Sequence, residues 1–523
     1  MKVLNFIILL FISCLFINYS KSQDETPITL IVNPNNNNTY IVGEKCGIDT
    51  FTCNSISDAV AYFNSIAVLV DNGTIYQQLN IKLSNGTYGI KESQVNLFLF
   101  NCTISPLDEG VSNVIFNGYQ NPLNQTQSMI SVHGNGEGTT SVLISGITFL
   151  YFNHSICNIV SIDTYINVTF DQCNFDGYQV QSNTHMISFS RINPPDNATI
   201  PTSCLIISNS NIFNTGGNNN TSSFSNSDII SVSGLNVTLY NVYINSIINS
   251  LPQSVLKVDS SYTNITNCKF SNIYTSLGVV YGFSSNITFY NSTFDRLSAV
   301  SGPGLFNHIA SNSYNSTFTM AYCLVSNCYS PTSAGVILLN NPFSVALPNN
   351  YIMYSSFNYN NGSSGGVLYS TTVPVNFDNC IFDSNSAVMG SIAQVIKTSL
   401  SVSYSTILIS NSSNLHSIAL GGTFVSWYSD ATFTFNTFSG KLVSFECTNS
   451  TIVIENSKNL NPYYNCYSCK QIFVNSNSIC KGSSTTSTLN FGSDSSNSNS
   501  FKLIPNFSIL ILLITIITIS FNF

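Results

Sequence analysis

A short repeat constrains this chain more than any other feature. VNFDNCIFDSN, starting at Val375, returns as VTFDQCNFDG from Val168, LIISNSNIFN from Leu205, VTLYNVYINS from Val237, TNITNCKFSN from Thr263 and ITFYNSTFDR from Ile287. Each copy reads apolar, spacer, apolar, spacer, Asn, small residue, spacer, large apolar. LFLFNCTISP from Leu97 fits the same pattern earlier in the chain. With the small residue as register, rungs fall at Cys102, Cys173, Ser210, Val242, Cys268, Ser292, Cys323, Ser355, Cys380 and Ser405, with looser members near Ile147, Asn436 and Ser457. A strand-patterned repeat of roughly 20 to 30 residues stacks lengthwise as a solenoid instead of wrapping a globular core.

Within each copy apolar residues alternate up to the Asn and resume after it, so one face is buried on both sides of a bend. The Asn stands where the alternation changes phase: Asn101, Asn209, Asn241, Asn267, Asn291, Asn379 and Asn456, with Gln172 as a near match. Asn tolerates the left-handed backbone such a corner requires, and stacked amides can bond from rung to rung. The pattern predicts an all-β rod of about twelve or thirteen coils, roughly 60 Å long at the spacing of paired strands.

The ends of the chain differ from the repeat. Residues 1–22 carry Lys2, an apolar run from Val3 to Ile17 and a small-residue end, the layout of a secretory signal. Residues 23–95 form an entry segment in which Ser57 caps a short helix with Ala59, Val60, Phe63 and Ile66 on one face, followed by a first rung at Ile81 and Leu83. The repeat proper spans 96–460 and a Cys-containing cap 461–480. Residues 481–506 are a Ser- and Asn-rich stalk. Residues 507–523 are an apolar tail with no Lys or Arg after it, preceded by small residues. That order matches a glycolipid-attachment signal, with attachment at Ser495, Ser496 or Asn497; a C-terminal membrane helix is the alternative. Both readings place the protein on the extracellular face of the plasma membrane, tethered through its C-terminus.

Only 7 % of residues are charged and the net charge is −8. With Arg191 and Arg296 as its arginines, the surface has no basic stripe, which excludes nucleic acid as a partner. Its polar face is Asn, Ser and Thr. Glycosylation sequons at Asn72, Asn85, Asn167, Asn236, Asn264, Asn286, Asn291, Asn315, Asn361 and Asn411 would supply the hydration that charge does not. Of 15 cysteines, Cys14 leaves with the signal, and 15 − 1 = 14 remain. Cys268, Cys323 and Cys380 occupy alternate rungs of one column, so they stand about 9.6 Å apart. That is beyond the roughly 7 Å reach of a disulfide, and they read as buried thiols filling small spaces. Disulfides are expected at the ends: Cys46 with Cys53, and pairings among Cys447, Cys466, Cys469 and Cys480. Cys466-x-x-Cys469 as the start of a zinc site is the weaker alternative.

Two stretches carry a family likeness. CGIDTFTCNSISDAVAYF from Cys46, followed by NIKLSNGTYGI from Asn80, resembles the entry segment of right-handed parallel β-helix proteins of the pectin-lyase-like superfamily. FNYNNGSSGGVLYS from Phe357, with degenerate copies at Gly335-Val336-Ile337 and Gly304-Leu305-Phe306, is similar to the repeats of the polymorphic outer-membrane protein group. The resemblance covers about Cys46 to Asn459 and implies a right-handed parallel β-helix with an N-terminal helical cap and a Cys-rich C-terminal cap. Of function it implies little, because the fold serves enzymes, adhesins and coats alike.

Hydrolases of that fold use clustered aspartates, and the sequence has no Asp-Asp or Gly-His-Gly pair. General acid and base carboxylates must lie roughly 5 to 9.5 Å apart. Asp176, Asp295 and Asp383 share an outward column whose other members include Phe213, Ser271, Ser326, Asn358 and Leu408; Asp171 and Asp378 share another, seven rungs apart. Arg296 beside Asp295 is the sole local match to a lyase pair and reads as a surface ion pair. His133, His154, His185, His308 and His416 are isolated in sequence, so no metal ligand set and no cofactor is expected. The sequence therefore points to a non-catalytic cell-surface glycoprotein, a rod for coat, adhesion or recognition that meets surface or matrix glycans or proteins. The alternative is a carbohydrate-active enzyme acting on a polysaccharide.

Overall fold

In the computed structural model, residues 27–481 are described apart from 35–45, 47–51, 68–77, 90–94, 99–100, 109–112, 119–127, 136–138, 163–164, 180–183, 193–202, 216–226, 248–251, 311–315, 344–349, 410–421, 440–442, 459–462, 466–468 and 476. The signal segment, the stalk, the attachment residues Ser495, Ser496 and Asn497 and the apolar tail lie outside the described residues, as do Asn72, Asn315, Asn411 and Cys466.

The chain winds as a right-handed parallel β-helix. Each full coil contributes one strand to each of three sheets. In one coil these are Ile230–Ser233 in a 14-stranded leading sheet, Asn236–Tyr240 in a 17-stranded middle sheet and Tyr243–Ile247 in a 13-stranded trailing sheet. In most coils two or three residues turn the chain from leading to middle sheet, and in nearly every coil two turn it from middle to trailing sheet; insertions lengthen the leading-to-middle turn at 193–203, 310–317 and 341–349, and the return to the next coil holds others. Strand residues alternate in burial, as in Asn286–Tyr290, where Ile287 and Phe289 face inward. Inward positions form files. Along the trailing sheet one file runs Phe116, Phe149, Phe175, Ile212, Ile244, Phe270, Phe294, Val325, Phe357, Phe382, Ile407, Phe438, all in register. Its rings stack at about the strand repeat, 5.2 Å between Phe270 and Phe294 and 5.5 Å between Phe357 and Phe382. Truncating one such ring to Ala would cost about 3 to 5 kcal/mol.

The corner between middle and trailing sheets shows why the repeat reads Asn then small. Gln172, Asn209, Asn241, Asn267, Asn291, Asn379 and Asn456 have φ between 46° and 55°. Side-chain amides join successive rungs, Asn241 Nδ2 to Asn209 Oδ1 at 2.9 Å and Asn291 Nδ2 to Asn267 Oδ1 at 2.8 Å. The next residue turns inward, and its backbone N–H needs an acceptor. Serine on the following coil provides it: the N–H groups of Cys173, Cys268, Cys323 and Cys380 donate to the hydroxyls of Ser210, Ser292, Ser355 and Ser405 at 3.0 to 3.1 Å. Cysteine and serine alternate because both are small enough for the corner and the serine oxygen closes the bond. Burial pushes the Cys173, Cys323 and Cys380 thiols up to about 12 and the Cys268 thiol to about 11, so they remain protonated and unreactive at neutral pH.

Two positions differ from the sequence reading. Cys102 is not a corner residue; it opens the middle strand Cys102–Pro106 opposite Val142, five residues short of the corner file, and Asn101 leaves the Asn column with it. The alternation of LFLFNC belongs to the leading strand Val95–Phe98, so the same pattern spans a different bend. The helix, Ile56–Ala67, is capped by Ser55 and not Ser57: the Ser55 hydroxyl accepts from the Asp58 N–H at 3.0 Å. Ile56, Ala59, Val60 and Phe63 are buried and close the entry end.

Cys46 is bonded to Cys53 and Cys447 to Cys469. The second bridge commits Cys469 to the last coil and away from a zinc site with Cys466. Beyond it, Gln471–Val474 pairs antiparallel with Asn477–Lys481, so a hairpin covers the edge of the middle sheet that would otherwise accept another strand.

His308 lies wholly inside, where Gly282 of the preceding coil leaves it room: a Cβ there would come within 2.5 Å of Ile287 Cδ1 and 3.2 Å of His308 Cδ2. Its Nε2–H donates to Ser285 O at 3.1 Å. Burial lowers its pKa from 6.5 to about 4. The unfolded chain takes up this proton near pH 6.5 and the folded chain only near pH 4, so the unfolded state binds more protons in between. Stability is full above about pH 6.5 and falls as pH drops toward 4. Urea titrations across that range should show this slope in the wild type and a flatter one in His308→Leu.

Candidate functional site

The acidic columns read from the sequence exist in register, but they do not pair acids. Asp176, Asp295 and Asp383 lie in one trailing-sheet file with Phe213, Asn245, Ser271, Ser326 and Asn358 between them. Partial burial would raise Asp295, but bonds from Asn327 at 2.8 Å and Ser326 at 2.9 Å, with Arg296 at 2.8 Å, outweigh it and hold the carboxyl below the usual range. Arg296 is 62 % exposed, which suits a surface ion pair worth little to stability.

A different charged group lies on the outer side of the leading sheet. Asp228 stands just before the strand Ile230–Ser233 and its side chain is 3 % exposed. Ser254 Oγ donates to its Oδ1 at 2.6 Å, and Lys257 Nζ lies 3.9 Å from Oδ2. His185 Nδ1, one coil back, bonds the Asp228 carbonyl at 2.9 Å. Tyr281 is the register partner of Lys257 on the next coil. Burial pushes the Asp228 carboxyl up, with Ser254, Lys257 and His185 pulling it partly back; burial, then Asp228 and Asp259, raise Tyr281. Nothing in the repeat marks this group, because Asp228 stands ahead of its strand, outside the strand columns. Among the described residues no set of three or more His, Cys, Asp or Glu side chains could hold a metal ion.

The most unusual surface is the middle-to-trailing corner itself. After Asn291 the file continues as Tyr322, Tyr354, Asn379, Tyr404 and Phe435, each bonded by its N–H to the next coil. These aromatics keep the left-handed backbone, φ 49° to 57°, although they lack the local polar contacts that let Asn adopt it. They are also half exposed: Tyr322 51 %, Tyr354 50 %, Tyr404 58 % and Phe435 50 %. Tyr322 stacks on Tyr354 at 5.0 Å and 6°, and Tyr404 on Phe435 at 5.1 Å and 4°. Tyr290 adds an edge contact to Tyr322 at 5.5 Å. Exposed Leu324 and Ile381 widen the stripe on the trailing sheet. The sequence held the signal, since each aromatic directly precedes a register residue: Cys323, Ser355, Ser405 or Asn436.

Sequon asparagines gather elsewhere. Asn167, Asn236 and Asn286 share one outward file of the middle sheet, and Asn264 lies in the next file. Asn85 and Asn361 are exposed. Asn291 is exposed at the corner, but its Nδ2, the atom a glycan would take, is engaged with Asn267.

The sequence matches no protein-family model and no curated protein. Among solved structures it is similar to PfbA, a surface adhesin of Streptococcus pneumoniae, at 14 % identity, covering 82 % of this chain and 93 % of that one with a TM-score of 0.33. It is similar to the A-module of the Azotobacter vinelandii mannuronan C-5 epimerase AlgE4 at 10 % identity, 78 % and 95 % coverage and a TM-score of 0.30. A rhamnogalacturonan lyase follows at 12 % identity, 75 % and 85 % coverage and a TM-score of 0.31. The expectation that this chain is not an enzyme is overturned by these likenesses: epimerase and lyase stand beside adhesin among the similar structures. That expectation rested on the missing Asp-Asp and Gly-His-Gly pairs, on isolated histidines and on strand columns without paired acids; Asp228 was not among the residues weighed.

If the aromatic corner is kept at a cost to the fold, removing it should be tolerated. Tyr354→Asn forfeits a ring contact of about 0.5 to 1.5 kcal/mol and relieves left-handed strain of about 1 to 2 kcal/mol. Denaturant midpoints should therefore shift between about 0.5 kcal/mol equivalent of loss and about 1.5 kcal/mol of gain, against several kcal/mol lost in the buried Phe357→Ala.

Proposed function

Starting from a pectin-lyase-like right-handed parallel β-helix fold, we propose that the chain is a carbohydrate-engaging surface protein that holds an extended polysaccharide along its aromatic corner. The observation that carries this reading is the run of half-exposed aromatic side chains in left-handed backbone. The same backbone recurs at other corners, Thr372, Lys397 and Tyr428 among them, so what supports the reading is the alignment of the exposed rings in one file. A ring repeats at nearly every rung, close to the repeat of an extended pyranoside chain, so successive sugars meet equivalent contacts. Aromatic edges and faces bind the apolar C–H surface of a sugar, while the charge-poor surroundings favour neutral polymers over polyanions. Placement outside the cell follows the apolar N-terminal run, the sequons and the two disulfides, and the apolar C-terminus supplies the tether to the membrane.

A second reading attaches to the leading-sheet group. A carboxyl group buried beside Lys257, His185 and Tyr281 sets an acid, a cation, an imidazole and a phenol on successive coils, the kinds of group a polysaccharide-modifying reaction uses. A Lys257→Met variant would lose turnover and keep corner binding.

Both readings meet in one experiment. Intact protein is released from cells with a phosphatidylinositol-specific phospholipase, then screened on a polysaccharide array and assayed for product on mannuronan and polygalacturonate. Retention of an extended neutral polysaccharide, weakened about tenfold or more in Tyr322→Ala/Tyr404→Ala, is expected. Binding indifferent to those substitutions, or no polysaccharide retained at all, would overturn the corner reading.

A further inference from the structure

The aromatic file is interrupted once, and the interruption is itself shaped. Tyr354, Asn379 and Tyr404 are consecutive members of the corner: the Tyr354 N–H donates to Asp378 O at 3.0 Å and the Asn379 N–H to Ser403 O at 3.0 Å. Tyr354 and Tyr404 are therefore two rungs apart, about 9.6 Å along the axis. On either side of this step rings stack at 5.0 and 5.1 Å, so one layer of ring thickness separates each ring from the layer Asn379 should occupy. Asparagine is too short to reach as far out as its aromatic neighbours. Nor does its amide bridge the rungs as Asn241 and Asn291 do. It folds sideways instead, donating to Asp378 Oδ2 at 2.9 Å.

From this geometry we infer that the corner takes a single neutral pyranose ring between Tyr354 and Tyr404, over Asn379. The inference rests on the carbohydrate reading and adds to it a defined subsite and a sugar class. The walls are two phenol rings, each at least half exposed. On the trailing-sheet side stands Ile381, 46 % exposed, for the apolar face of the sugar. On the middle-sheet side stands Asp378, whose Oδ1 accepts from Ser403 Oγ at 2.7 Å and whose Oδ2 accepts from Asn379. A carboxylate has about four acceptor positions, so two bonds leave it able to receive sugar hydroxyls. A fixed carboxylate also repels a second one, which selects a neutral hexose over a uronate and over acidic side chains of a protein partner. A flat aromatic residue would find walls of the right spacing but no use for the hydrogen-bonding floor.

The test uses the full-length released protein and methyl α- and β-glycosides of glucose, galactose and mannose, with methyl glucuronoside as the charged control, read by saturation-transfer NMR. Saturation is expected on the ring protons of at least one neutral glycoside, with at least tenfold weaker response from the glucuronoside. Asn379→Tyr fills the layer with a residue the same file accepts at 354 and 404, so it folds as the wild type does by circular dichroism. This variant should lose the monosaccharide signal at least tenfold, while the polysaccharide, held by the remaining rings, is still retained. Asp378→Asn should narrow the preference for neutral over charged sugar. A monosaccharide signal that survives in Asn379→Tyr, or its absence from the wild type, would overturn the subsite. Polysaccharide retention is scored separately, so loss of the subsite with polysaccharide still bound leaves the corner reading standing, and loss of polysaccharide binding by the wild type removes both.

Discussion

The fold depends on a two-residue corner that has to be satisfied again on every coil. The outer residue must accept a left-handed backbone, and the inner one must be small and must find an acceptor for its N–H on the coil that follows. Asn and Ser meet these demands at least cost, which is why the Asn241 and Asn291 amides donate hydrogen bonds to Asn209 and Asn267, and why serine hydroxyls receive the Cys268 and Cys380 N–H groups. Once those bonds are made, the coils are locked in register. The inward files of Phe, Ile and Val then stack without further specification, and the growth of the rod is limited only by its caps.

The proposed binding surface is a departure from this rule. In the C-terminal half the outer corner position changes from Asn to Tyr and Phe, which gain no amide ladder and tolerate the backbone less well. The coil survives because the inner position still carries Cys323, Ser355, Ser405 or Asn436 and still makes its bond: the Cys323 N–H to Ser355 at 3.1 Å and the Ser405 N–H to Asn436 Oδ1 at 2.8 Å. Structural duty rests on the inward residue, which leaves the outward one free to vary. The sequon file on the middle sheet lies mostly on earlier coils, so glycans carried there would leave the aromatic stretch open.

Much of this was legible before any coordinates. Periodicity placed the Asn column, the Cys and Ser column, the Asp176, Asp295 and Asp383 file and the Phe file correctly, because strand pairing in a coil stack is a one-dimensional register problem. Legibility failed in two physical situations. At Cys102 the alternation of one strand mimicked that of another, since a bend leaves no mark of its own where Asn is also a loop residue. At Asp228 the residue stands ahead of its strand, and the segments between strands in this fold vary in length, so position in sequence does not fix position in space. The aromatic corner was a third kind of omission: Tyr322, Tyr354 and Tyr404 stand one residue before register positions, but Tyr is not what a left-handed corner should hold, so nothing in the repeat marks them out.

The register of coil on coil is what every other conclusion inherits. Thr238, Asn264 and Thr288 are consecutive partners in one outward file of the middle sheet. The buried thiols, raised by burial to about 11 or 12 at Cys268, Cys323 and Cys380, will not compete in mild oxidation. Two double variants decide the matter, with the cross-link read by mass spectrometry of peptides. Asn264→Cys/Thr288→Cys, one rung of about 4.8 Å, should form a disulfide, and Thr238→Cys/Thr288→Cys, two rungs apart, should not; the reverse pattern, or no bond in the first pair, would contradict the stacked-coil account.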